Sequence, residues 1–282
     1  MFQAKKISSN LTSYDLMKTL AVLLMIIDHT AYYEFIDSDW PRAIGRLCVP
    51  IWFFLIGYAN TRSIPLRFWG GAILLVFANF VVGYNIFELN VLFSLILARL
   101  TIDYCVKKSL QSQAHMILVC TILTILAFPT YFIIEYGTMG IILAMLGYFV
   151  RHKTAEIDKS FVSGFMIFSA LNFIILQQLA FGFTAPQFAF MAGGILVINI
   201  LLLKFRACDY PDLTQKLPGF ASGFLRLFGR RTLEIYVIHL IIFKVTALII
   251  GVEGYALLDL RFFSDDFWMM FEPVDANMVD VP

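Results

Sequence analysis

Charge is scarce in this sequence. Asp, Glu, Lys and Arg make up 15% of its 282 residues, where a soluble domain carries about a quarter. That shortage excludes an ordinary water-soluble fold. Cysteine is sparse too: Cys48, Cys105, Cys120 and Cys208 are scattered singly, with no CxxC and no Cys/His spacing of the metal-binding kind. They read as small buried side chains or a free cytoplasmic thiol, and no metal is expected. The net charge of +1 says nothing by itself, and no nucleic-acid partner is expected. Lys5 and Lys6 precede the first apolar run as they would in a signal peptide. No small-x-small cleavage site follows, since the flank is Tyr32, Tyr33, Glu34 and Phe35. The run is therefore expected to stay as a span. Internal repeats and low-complexity segments are missing as well.

What the chain has instead is apolar length. Hydrophobic residues make up 60% of it, the mean hydropathy is +0.81, and runs near the ~20 residues that cross a bilayer core recur along it. The runs are continuous rather than alternating, which argues against a β-barrel. The expected fold is all-α: a polytopic helical membrane bundle of about nine or ten spans in one domain, 1–282. Spans are placed at 16–36, 47–60, 68–86, 90–106, 115–134, 137–150, 161–181, 186–203 and 233–252. The second and sixth are short for a full crossing. With a cytoplasmic N-terminus, the inner loops collect Lys5, Lys6, Arg62, Arg67, Lys107, Lys108, Arg151, Lys153 and Lys159. The long loop 204–232 adds Lys204, Arg206, Lys216, Arg226, Arg230 and Arg231. The outer loops hold Arg42 and Arg46 and almost nothing else basic, which satisfies the positive-inside rule with nine spans. Within loop 204–232, "FASGFLRLFG" reads as a short helix on the inner membrane surface. An acidic tail follows at 259–282.

Ionisable groups inside spans are costly and mark cavities or bundle interiors. The first span, "KTLAVLLMIIDHTAYYEFI", carries Lys18, Asp28 and His29. Asn79 lies in the third, Arg99 and Asp103 in the fourth, His239 and Lys244 in the ninth. Lys18 and His29 are eleven residues apart, almost a whole number of turns, so they share a helix face about 16 Å apart along the axis. Asp28 is expected to pair with Lys244 or Arg99, because an unpaired carboxylate at that depth would take up a proton. A lone His in a span more often serves as a helix–helix hydrogen-bonder. Here Asp28 is adjacent, and "WPRAIGRLCVP" brings Arg42 and Arg46 back to the same rim. A histidine suits proton transfer near neutrality, as a general base or as an acyl carrier, and nearby arginines would steady a developing oxyanion. A transporter would use buried charges of the same kind.

"LMKTLAVLLMIIDHT" followed by "RAIGRLCVPIWFFLIGY" resembles the opening signature of the TraX family of membrane acetyltransferases. So do "NVLFSLILARL" (90–100), "EYGTMGIILAMLGYFVR" (135–151) and "GRRTLEIYVIHLIIF" (229–243). The resemblance implies transfer of an acetyl group from acetyl-CoA to an amine, as in acetylation of the N-terminus of F-type pilin. More distantly similar are the heparan-α-glucosaminide acetyltransferase and bacterial membrane O-acyltransferases, which place a catalytic His within the membrane. Some of these carry Arg-x10-His in the first span. Here Lys18 holds the Arg position and His29 the His, which keeps the cation but loses the bidentate fork. Arg42, Gly45, Arg46 and Pro50 match the family element, and Tyr236 and His239 match its Tyr-x-x-His. The implied site is therefore His29 with Asp28. Arg42, Arg46, Tyr236 and His239 would support it; Arg99, Asn79 and Lys244 join them by their depth in the spans, and the basic inner rim, Lys18, Arg62, Arg67, Arg230 and Arg231, would bind the acetyl-CoA phosphates. The expected setting is the bacterial inner membrane. The expected acceptor is a pilin-like peptide or sugar amine reached from the periplasmic side, with a sugar hydroxyl as the alternative. An oligomer is allowed.

Overall fold

The computed structural model describes residues 9–34, 39–152, 157–252 and 254–263. Lys5, Lys6, Lys153 and the acidic residues beyond 263 lie outside them. A two-residue strand β1 (Leu11–Thr12) leads into helix α1 (Ser13–Glu34). Then come α2 (Trp40–Gly45), α3 (Cys48–Tyr58), α4 (Leu66–Val81), α5 (Val91–Ser109), α6 (Gln113–Tyr131), α7 (Met139–Arg151), α8 (Lys159–Phe181) and α9 (Ala185–Leu203). Strand β2 (Asp209–Tyr210), short helices α10 (Pro211–Lys216) and α11 (Gly219–Arg230), and α12 (Thr232–Ile250) complete the order. The two strands pair antiparallel, Leu11 opposite Tyr210.

Local chemistry sets these boundaries. Asn90, Ser112 and Asp158 accept hydrogen bonds from free backbone N–H groups in the first turns of α5, α6 and α8. Thr184 and Gln187 form a capping box on α9. Gly182 and Gly251 end α8 and α12 in the left-handed conformation that glycine adopts without cost.

Each of the nine apolar segments coincides with a helix, and four of those helices (α6, α8, α9 and α12) are long and apolar enough to cross a membrane. Ile125, Leu179, Ile200 and Ile249 on these four are exposed. Apolar exposure on this scale belongs to a lipid-facing surface, and the chain is an integral membrane protein. The pair α3 and α7 sits at the centre. Every residue of α3 but Trp52 is buried, and α7 exposes only parts of Tyr148 and Arg151. A Cβ at Gly57 would strike the Ala144 carbonyl, and one at Gly147 the Phe54 carbonyl. The two backbones approach as closely as small residues in membrane helices permit. Eleven residues span only about 17 Å, so α3 is too short to cross a ~30 Å core by itself.

The segment expected as span 68–86 ends early, at Val81. Gly83 turns the chain with φ +67°, and its Cα packs where a Cβ would meet the Ala256 backbone. Residues 84–90 become a loop at the bundle end. The start of the expected acidic tail is also part of the fold. Ile86 and Phe87 donate to the carbonyls of Arg261 and Phe262 at 2.9 Å, and Tyr84 stacks on Tyr255. Asp259 pairs with Arg261. The short helix expected in loop 204–232 is α11, strongly amphipathic, with Phe220 and Leu227 exposed.

Candidate active site

α2 explains the first cluster. It folds back after α1 and packs so tightly that a Cβ on Gly45 would overlap Asp28. That contact delivers the next residue, Arg46, to the Asp28 carboxylate, with which it forms a short buried ion pair. Asp28 is 4% exposed and Arg46 5%. Arg42, one turn earlier, lies 3.8 Å from the other carboxylate oxygen. Both guanidinium carbons stand 4.9 Å from the ring centre of Phe181 at the end of α8, a cation–π arrangement. Arg46 also donates to the Tyr136 hydroxyl at 2.8 Å. Tyr136 is held at φ +64°, a strained conformation for a non-glycine residue and a common mark of a functional site. The sequence suggests Lys244 or Arg99 as the partner of Asp28; the structure gives Arg46 and Arg42, because the Gly45 contact sets α2 directly against Asp28.

One turn of helix and one residue explain the second cluster. His29 Nδ1 lies 2.6 Å from His239 Nε2, and the rings stack with centroids 4.9 Å apart. His239 Nδ1 is 2.7 Å from the Ile235 carbonyl oxygen four residues back on α12. A carbonyl can only accept, so His239 Nδ1 carries a proton. In the neutral ring His239 Nε2 is then a bare acceptor, and His29 Nδ1–H donates to it. The tautomer of His29 follows: its Nε2 bears the lone pair. A fixed tautomer set by a second ring partner is what a proton-transferring histidine requires.

Asp28, His29, Arg42, Arg46, Asn79, Tyr236 and Lys244 line one cavity of about 330 Å³. Lys244 stands 4.3 Å from the centre of the Tyr84 ring. The sequence reading missed part of the wall: Glu88, Glu135, Tyr131 and Tyr136. Glu135 and Tyr136 lie inside the "EYGTMGIIL" stretch, so the only available signal was two polar residues between apolar runs. Glu88 gave none. A ladder joins them: Leu89 N–H donates to the Ile133 carbonyl and Glu135 N–H to the Leu89 carbonyl, both at 2.9 Å, and Ser94 Oγ donates to the Glu135 carbonyl. Burial, then the neighbouring Glu135, pushes the Glu88 carboxyl up to about 8, with Arg46 and Arg42 opposing.

The remaining candidates sit at the other end of the bundle. Arg230 donates twice to the buried Asp15 carboxylate, at 3.1 and 3.0 Å, where Gly229 lets α11 touch the start of α1. Arg62 pairs with Asp103 and donates to the Ile56 and Ala59 carbonyls. Arg99, expected near the site, donates to the Ser63 carbonyl at 2.7 Å, because its face of α5 meets the 59–65 connection and not the cavity. Arg67 and Arg231 share Glu234 but remain 63% and 65% exposed. Lys18, on the same α1 face as His29, lies in the field of Asp15, Arg67 and Arg99.

The family description "TraX protein" matches residues 13–208. A protein of Rickettsia prowazekii (strain Madrid E) described as uncharacterized protein RP591 is 26% identical over 247 residues, covering 84% of this chain and 94% of the relative. The protein TraX of Escherichia coli is 23% identical over 240 residues, covering 83% and 87%. The protein TraX of Escherichia coli strain K12 is 25% identical over 211 residues, covering 73% and 79%. No solved structure matches.

Proposed function

Because the chain belongs to the TraX family, we propose that it is an acetyltransferase of the bacterial inner membrane, with nine spans and a cytoplasmic N-terminus. It carries the acetyl group of cytoplasmic acetyl-CoA to an amine that reaches the cavity from the periplasmic side. The observation that carries this reading is the His29–His239–Ile235 chain, which leaves one imidazole lone pair on a residue lining a polar cavity.

The chemistry then runs as direct transfer. The amine nitrogen attacks the thioester carbon as His29 Nε2 takes its proton. The imidazolium is held by the neutral Nε2 of His239. Negative charge develops on the carbonyl oxygen. Arg46 Nε is buried and lacks a hydrogen-bond partner among the described residues, so it is the donor placed for that charge, with Arg42 adding its field. Collapse breaks the C–S bond, and the thiolate recovers the proton from His29. Asp28 holds both arginines and is a positioning residue.

The donor's phosphates dock at the basic end. Arg67, Arg231 and Lys18 are the candidates left there, since Arg62 and Arg230 are engaged within the protein. A second space of about 20 Å³ borders His29 and is lined by Met25, Trp52 and Val91 among others. The pantetheine arm passes there once these side chains part. The test is transfer of label from radiolabelled acetyl-CoA in vesicles of both orientations. Label should enter product only when acetyl-CoA has access to the cytoplasmic face, and His29→Ala should lose it. Unchanged transfer by that variant refutes the reading.

A further inference from the structure

We propose that Glu88 and Asn79 form the acceptor's ammonium site, selecting a primary amine over a hydroxyl, an inference that rests on the acetyltransferase reading for its purpose but not for its binding test. The wall of the 330 Å³ cavity has an imbalance of hydrogen-bonding capacity. Three buried cavity atoms, Asp28 Oδ1, Asn79 Oδ1 and Glu88 Oε1, lack a hydrogen-bond partner among the described residues, and all three are acceptors. Arg46 Nε is the corresponding donor there. Buried acceptors left without donors are costly, so a native cavity of this kind is built for a donor-rich occupant. An ammonium brings three donors and no acceptor, whereas a hydroxyl brings one of each kind.

Asn79 is 9% exposed, and its orientation is set by its neighbour. Nδ2 donates to the Asn85 carbonyl at 2.7 Å, so Oδ1 is the free acceptor. Charge points the same way. Arg46 and Arg42 are committed to Asp28, and the Lys244 charge acts on Glu135. The charged group that most strongly affects Glu88 is another carboxylate, Glu135, ahead of Arg46 and Arg42. The Leu89–Ile133–Glu135 ladder holds these two acids beside each other, so a cation is the missing neighbour.

The proton balance is complete. In the empty cavity Glu88 holds a proton below about pH 8, and the entering ammonium displaces it to water. The bound R–NH3+ then passes one proton to the Glu88 carboxylate so formed and becomes the nucleophilic R–NH2. Its second proton goes to His29 on attack and then to the CoA thiolate, and Glu88 ends protonated as it began. A carboxyl titrating at about 8 is matched to accept a proton from an amine near neutral pH.

The test uses n-butylammonium chloride as probe on the purified full chain in detergent, with n-butanol and an equal concentration of sodium chloride as comparators. Thermal unfolding should show stabilisation by n-butylammonium beyond both comparators. Glu88→Gln should weaken the apparent affinity at least tenfold, and Glu88→Asp should recover part of it; Glu135→Gln provides a second variant should Glu88→Gln not fold. Labelled acetyl transfer should favour n-butylamine over n-butanol, and the Glu88→Gln defect should fall on KM more than on kcat. Equal stabilisation by n-butanol, or wild-type amine affinity in both glutamine variants, overturns the site while leaving transfer to other acceptors intact. Ammonium binding with no transfer from acetyl-CoA to any acceptor would defeat the enzyme reading and leave the site standing.

Discussion

His29 and His239 stand 210 positions apart in the chain, yet Nδ1 of one lies 2.6 Å from Nε2 of the other. The bond is asymmetric, because the Ile235 carbonyl already takes the only proton a neutral His239 carries. His29 thus keeps a bare Nε2 without needing a carboxylate partner.

His29→Ala is expected to lower the rate of acetyl transfer by about 10²–10⁴, the range for losing a general base. His239→Phe leaves the base but frees its tautomer and removes support for the imidazolium. It should cost less, about tenfold or more, and shift the pH–rate profile, which His29→Ala cannot do in the same way. Initial rates across pH at matched protein levels separate the two.

Arg46→Leu leaves the buried Asp28 carboxylate with only the more distant Arg42. Removing one partner of a buried pair costs about 3–5 kcal/mol, seen as a lower midpoint of thermal unfolding. The double change Asp28→Asn with Arg46→Leu should regain much of that stability and none of the activity.

Gly45→Ala places a methyl on Asp28 and should destabilise by about 1–3 kcal/mol, as overpacking does, with loss of transfer because α2 carries both arginines. A methyl at Gly70 would meet open space instead, so Gly70→Ala is the matched control. It should be neutral or slightly stabilising in its helix.

Glu88 gives a pH-dependent stability term of definite sign. Its carboxyl titrates at about 8 in the folded chain against 4.5 as its ordinary value. Between those values the native state holds a proton that the unfolded state has released. Stability from this group therefore falls as pH rises from about 4.5 to about 8. The unfolding midpoint of Glu88→Gln, relative to the parent, should rise across that window and level off above it.

Arg67→Glu and Arg231→Glu should raise KM for acetyl-CoA and flatten its salt dependence, with little change in unfolding midpoint, because both side chains are largely exposed. Arg230→Ala should do the reverse, lowering stability by leaving Asp15 buried and unpaired.

The sequence alone determined the membrane-embedded helical character, the positions of nine apolar helices, and that Asp28, His29, Arg42 and Arg46 stand at one rim, where they line one cavity. These are local properties: run length, hydropathy and residues within about twenty positions of one another. Gly45 needed only the adjacent turn to bring Arg46 home. Tertiary structure decided the partners. Nothing in the order of residues tells that Asp28 pairs with Arg46 and not Lys244, that His239 stacks on His29, or that Arg99 faces Ser63 and not the cavity. Helix rotation and packing depth, set by the close α3–α7 contact and the Gly83 turn, choose among side chains at similar depth. Glu88 and Glu135 were beyond sequence reading for the same reason: a carboxylate in a loop acquires its role only when a ladder from another connection folds it against its like.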